Sequence, residues 1–242
     1  MCRHIQSERS LFLKSIGNGN ELRLGLVIRS SSFWACNVMV LVDRFRIFWA
    51  FLGFLFVGNL EATEWQEVSR ASNLVIYVRH RTDSAIEEVR GIGQFNVPIS
   101  VFKGILADVG KYSDFMPYTK ESRVLPKDPQ LCYMVLTPPL VGSLDYTIRV
   151  HEESLKGPEG NTVYHSSWEL ANVDGPPPRP GVTRVTANEG SWLLEPMGNQ
   201  TKATYTLFTD GGGIPPLIMN FANKQSISRL FDALHTRMHD GK

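Results

Sequence analysis

The chain changes its hydrophobic rhythm three times. Leu74-Val75-Ile76-Tyr77-Val78 is a run of β-branched and aromatic residues and predicts a strand. Ile86 to Phe95 reads as its hairpin partner, with the polar Arg81-Thr82-Asp83-Ser84 as the turn. Pro98 opens a helical stretch in which Val101, Phe102, Ile105, Leu106 and Val109 recur at helical spacing, with Gly110 as its stop. Tyr112 to Tyr118 is a short aromatic segment interrupted by Pro117. Further strands are expected over Glu121–Leu125, Leu131–Thr137, Leu144–His151, Val163–Leu170, Thr183–Leu194 and Lys202–Phe208. Their separators carry Pro, Gly, Asp or Asn, as in an antiparallel meander. Asp174 to Gly181 holds four prolines and reads as a loop or polyproline stretch.

The third rhythm is a long apolar stripe at helical intervals. Gly211-Gly212-Gly213 breaks the chain, and Pro215-Pro216 suits a first helical turn, where proline needs no N–H. Leu217, Ile218, Phe221, Ile227, Leu230, Phe231, Leu234 and Met238 follow. A helix over residues 215–239 would be about 38 Å long. The expected fold class is therefore α+β: a helix-grip in which a curved antiparallel sheet is closed by a long C-terminal helix. The space between helix and sheet is the natural cavity.

Several ordered stretches resemble the START lipid-transfer domain family, from about Trp65 to Met238. They are Leu74–Arg79, Glu88–Gly91, Leu106–Tyr112, Met116–Tyr118, Asp145–Ile148, Gly190–Pro196 and Gly213–Pro215 leading into Asn220. The family often carries Arg-Asp-Tyr in its middle strand, whereas Leu144 precedes Asp145 here. That departure removes any head-group contact the arginine would make. The resemblance implies a tunnel for one lipid, sterol or similar hydrophobic ligand, without naming it.

Upstream of this region the pattern is continuous rather than periodic. Ile47 to Gly58 carries no charge, and twelve residues are too few to span about 30 Å of hydrocarbon. They suit the apolar core of a secretory signal, with Arg44 and Arg46 before it. Residues 39–62 are thus expected to be a signal peptide or N-terminal anchor. Met39 is a good initiator for it, which makes residues 1–38 a mis-called extension, and N-terminal sequencing of the unprocessed product tests this. A START-like lipid-binding domain over residues 63–242 and a periplasmic or secreted, possibly membrane-anchored, location in a bacterial envelope follow as expectations.

Charge and chemistry then narrow the function. A formal net charge of +1 provides no basic field for nucleic acid, so an uncharged ligand is the simplest partner. Cys2, Cys36 and Cys132 build no disulfide framework or CxxC site, and Cys132 reads as a small buried hydrophobe. His235 and His239 stand four apart, but Thr236 lies between them where a zinc-hydrolase helix needs glutamate. No metal and no cofactor is expected. Asp145 and Glu169 sit inside strands. Facing water explains them; pairing with Arg149 or Arg184, or acid–base work as polyketide cyclases would need, are the alternatives.

No catalytic residue is assigned. The candidate lining comes from the fold, because residue type alone does not separate lining from core. It comprises Tyr112, Phe115 and Met116 of the aromatic segment and Tyr133, Val135, Tyr146, Ile148, Trp168 and Leu170 of the middle strands. Trp192, Tyr205 and Leu207 of the late strands join them, with Ile214, Leu217, Ile218 and Phe221 at the start of the last helix. A monomer that makes transient membrane contact is expected, with exit gated by the last helix hinged at Gly211–Gly213 and the Tyr112–Met116 segment.

Overall fold

The computed structural model describes residues 64–157 and 160–240. The expected extension (1–38) and leader (39–62) lie outside the described residues. Ten strands form one sheet: β1 (Gln66–Arg70), β2 (Leu74–Arg81), β3 (Ser84–Phe95), β4 (Thr119–Leu125), β5 (Asp128–Leu136), β6 (Leu144–Lys156), β7 (Thr162–Leu170), β8 (Thr183–Arg184), β9 (Ala187–Met197) and β10 (Gln200–Asp210). Between β3 and β4 run α1 (Ile99–Ala107), a 3₁₀ turn (Val109–Lys111) and the short α2 (Tyr112–Phe115). The chain closes with α3 (Pro216–Asp240).

The strand order is β1-β2-β3-β10-β9-β7-β6-β5-β4, antiparallel along this path, with β8 pairing β6 in parallel. The α1–α2 segment carries the chain from one half of the sheet to the far edge, and β10 returns to lie beside β3. This is the expected helix-grip. Three details depart from the sequence pattern. The edge strand β1 is polar and exposed throughout, so it carries no alternation to read. β6 runs on to Lys156 through six exposed residues, because its hairpin with β7 needs backbone pairing and no buried face. The strand expected over 183–194 is two: β8 bonds to β6, while β9 joins β7 and β10.

One face of the sheet packs on α3. Ile227, Phe231 and Leu234 are fully buried against Val89, Phe95, Leu194 and Ala203. Phe231 reaches the sheet because Gly91 lies beneath it. A Cβ there would stand 2.7 Å from Ile227 Cγ2 and 3.0 Å from the Phe231 ring, so any larger residue would lift the helix.

The opposite, outer face is also covered. Residues 171–186 fold back over β5 and β6, enclosing Leu125, Leu131, Tyr133, Val135 and Ala171. Asp145, on this face of β6, is fully buried rather than facing water. Arg184 Nε donates to its Oδ1 at 2.8 Å and Tyr133 Oη donates to its Oδ2 at 2.8 Å. Arg184 also donates to the Pro176 carbonyl, while Asn172 accepts from Thr147 N and donates to Val185 O. The proline segment is therefore a pinned strap, not a free loop. Arg149 pairs with Asp128 and Asp174 instead of Asp145. Glu169 is the one of the two acids that faces water, where it meets His151 at 3.6 Å.

Candidate functional site

Helix and sheet do not meet everywhere. Between the inner face of β5–β6, the α1–α2 segment and the first half of α3 lies a cavity of about 310 Å³, at the lower end of small-molecule sites, which run to roughly 300–1,000 Å³. Alternation decides which residues reach it. On β6, Leu144, Tyr146, Ile148 and Val150 line it, while Asp145, Thr147 and Arg149 turn outward. On β5 the inward set is Cys132, Met134 and Leu136.

The far wall is aromatic. Tyr205 lies between Trp192, at 4.5 Å between ring centroids, and Trp168, at 5.7 Å. Trp192 also packs on Phe102 and Phe231, so this wall divides the cavity from the solid core under the rest of α3. Burial pushes the phenols of Tyr112, Tyr146 and Tyr205 well above the usual tyrosine range, so all three stay protonated. Tyr112 donates to the Leu106 carbonyl, and Tyr146 contacts Met134 Sδ at 3.4 Å. Burial also raises the Cys132 thiol to about 11, which keeps it an unreactive part of the wall.

Polar groups gather at one end. Trp168 Nε1 donates to Asn188 Oδ1 at 2.9 Å, and Asn188 Nδ2 donates to Thr209 Oγ1 at 3.0 Å. Asn223 Nδ2 of α3 donates to the Thr209 carbonyl at 3.1 Å. These residues all line the cavity.

Of the sequence-based candidates, Tyr112, Met116, Tyr146, Ile148, Trp168, Trp192, Tyr205 and Leu207 come together on this wall. The others do not. Tyr133 and Val135 point to the outer face, under the strap. Leu170 ends β7 outside the lining, and Phe115 packs with the main core, edge-on to Tyr112. Ile214 joins the cluster of Ile86, Phe208 and Met219. Leu217 and Phe221 are 82% and 52% exposed, and Ile218 lies between them outside the lining. The helix is rotated relative to the expected phase. Counting back in fours from buried Ile227 gives Asn223 and Met219; from Leu230 it gives Ser226 and Ala222. Those four line the cavity, and the polar Asn223 and Ser226 hid the stripe.

Neither Asp145 nor Glu169 enters the cavity; the strand acid that lines it is Glu152 of β6. Among the described residues no group of three or more His, Cys, Asp or Glu gathers as a metal site would require. His235 stacks on Phe95 at 4.2 Å and accepts from Asn73 Nδ2 at 2.9 Å, and its burial lowers its pKa.

Comparison with known proteins agrees with this geometry. The family model described as polyketide cyclase / dehydrase and lipid transport matches residues 97–235. A StAR-related lipid transfer protein from Xanthomonas axonopodis is similar in structure at TM-score 0.64 and 23% identity, over 72% of this chain and 98% of that one. Human StAR-related lipid transfer protein 5 is similar at TM-score 0.60 and 15% identity, over 81% and 96%. Human STARD10 follows at TM-score 0.59 and 15% identity, over 76% and 78%. Curated proteins give no match. The match from α1 to the last turns of α3, on a START-type helix-grip enclosing an apolar cavity, shows that the chain belongs to the polyketide cyclase/dehydrase and lipid transport family.

Proposed function

We propose that this protein holds one hydrophobic molecule in its cavity and moves it between membranes without changing it chemically. The observation that carries the reading is a largely apolar hollow whose one charged lining residue among those described, Glu152, is half exposed and stands 3.9 Å from Lys103. Asp145 is committed to Arg184 behind the sheet, and Glu169 stands in solvent. General acid–base chemistry needs its groups within about 3 Å of the reacting atoms, and neither of these two carboxylates is placed to supply it. Each buried CH₂ contributes about 0.8 kcal/mol, enough for an alkyl chain to be held with few hydrogen bonds.

The mouth offers a means of membrane contact. Leu140, 79% exposed in the β5–β6 loop, and Leu217 and Phe221 on the outer side of α3 are apolar side chains left in solvent. Their neighbours Val141 and Met219 pack in one cluster and line the cavity, so the exposed group lies beside the route in. Opening would swing α3 on Gly211–Gly213, where Gly212 and Gly213 hold positive φ. A leader over residues 39–62 would deliver the protein outside the cytoplasm, to the bacterial envelope.

Filling the hollow tests the reading. Ala222→Trp, on the inward face of α3, is expected to abolish lipid co-purified in native mass spectrometry while circular dichroism stays that of the parent. Lipid bound as before to a folded variant would reject the proposal. Leu140→Asp with Phe221→Asp is expected to weaken co-sedimentation with lipid vesicles at least about fivefold, since two apolar side chains lose about 1 kcal/mol or more of membrane burial.

A further inference from the structure

The polar end of the cavity says what kind of molecule fits. Asn223 is 5% exposed, and its Nδ2 is committed to the Thr209 carbonyl. That bond fixes the amide's orientation and leaves Oδ1 as an acceptor with no protein partner among the described residues. Beside it, Thr209 Oγ1 accepts from Asn188, which itself accepts from Trp168. Because one lone pair of Thr209 is taken, its own O–H is turned away from Asn188 and is the free donor at the end of a polarised chain. The helix thus supplies an acceptor and the sheet a donor, on two residues joined by the 3.1 Å bond from Asn223 Nδ2 to the Thr209 carbonyl.

Charge limits the choice further. Glu152 is the only charged residue on the described wall; its partner Lys103, 3.9 Å away, is half exposed, and no lysine or arginine belongs to the lining. A carboxylate or phosphate buried at the Asn223–Thr209 end would have no lining cation to pair with, which costs several kcal/mol per ion. Resting on the reading of the cavity as a hydrophobic-ligand site, we infer that the ligand is an uncharged apolar molecule ending in a hydroxyl. Its O–H donates to Asn223 Oδ1, and its oxygen accepts from Thr209 Oγ1. A buried acceptor left without a partner is costly, so Asn223 would select for a donor on the ligand and not merely tolerate one.

Four probes of equal chain length decide this: decanol, decyl methyl ether, decane and decanoate, titrated into the full chain and followed by tryptophan fluorescence of the Trp168–Trp192 wall. The ether can accept from Thr209 but cannot donate to Asn223. Wild-type protein is expected to bind decanol about tenfold tighter than the ether, one hydrogen bond's worth, and decanoate more weakly than decanol. Asn223→Leu is expected to erase the roughly tenfold preference for decanol over the ether. Ether binding as tight as alcohol in the wild type overturns the inference, as does decanoate binding as tight as decanol. Both readouts need no variant to fold. If decane and ether bind but show no such selectivity, the hydroxyl assignment fails and the apolar cavity stands. If no probe binds, both fall.

Discussion

Arg184→Met is expected to destabilise the protein by about 3–5 kcal/mol, the usual cost of leaving one member of a buried ion pair without its partner. Asp145 has no exposed surface, and the guanidinium meets both its oxygens, at 2.8 and 3.0 Å. Removing the cation leaves a carboxylate with only the Tyr133 hydroxyl and the strap around it. Burial and that acceptor together raise the Tyr133 phenol to about 12, so it serves as donor at any working pH. The triple replacement Asp145→Leu, Tyr133→Phe, Arg184→Met removes every member of the network, and is expected to recover most of the loss. Urea denaturation measures both. A single variant within about 1 kcal/mol of the parent would mean that the strap holds without its ion pair.

Phe231→Ala is the second large effect, again about 3–5 kcal/mol. Its ring is 1% exposed, lies 5.5 Å from Phe95 and 5.9 Å from Trp192, and covers Gly91. No neighbour can collapse into the gap without moving α3, so the void persists and its cost with it. At roughly 2–4 °C per kcal/mol for a chain of this size, the melting temperature should fall by about 6–20 °C. Leu217→Ala, one of the exposed apolar residues of the same helix, should change stability by less than about 0.5 kcal/mol. Equal effects at the two positions would show that the inward face of the helix has been misassigned.

The same contrast explains what was legible in the sequence. On β6 and β10 the outward positions are polar (Asp145, Thr147 and Arg149; Lys202, Thr204 and Thr206), so the inward Tyr146, Ile148, Tyr205 and Leu207 could be read from alternation. On β5 the run Leu131-Cys132-Tyr133-Met134-Val135-Leu136 is apolar on both faces, because the strap covers one and the cavity opens on the other. Hydrophobicity then carries no phase, and Tyr133 was assigned to the wrong side. The helix failed for the opposite reason. Its cavity face carries Asn223 and Ser226, while Leu217 and Phe221 are greasy residues turned to solvent. Polar residues inside and apolar ones outside both invert the rule that periodicity relies on. Fold type survived these inversions because Gly211–Gly213, Pro215-Pro216 and the later Ile227–Met238 stripe fixed the existence of the closing helix.

Strand β6 has a consequence for how such a protein can diverge. Its even-numbered residues from Leu144 to Val150 line the cavity, and its odd-numbered ones from Asp145 to Arg149 fasten the strap. Cavity shape and mechanical integrity are thus interleaved at single-residue spacing yet separated by the thickness of a backbone. A lineage can rewrite every second side chain and so reshape the hollow while the fastening on the reverse side stays intact.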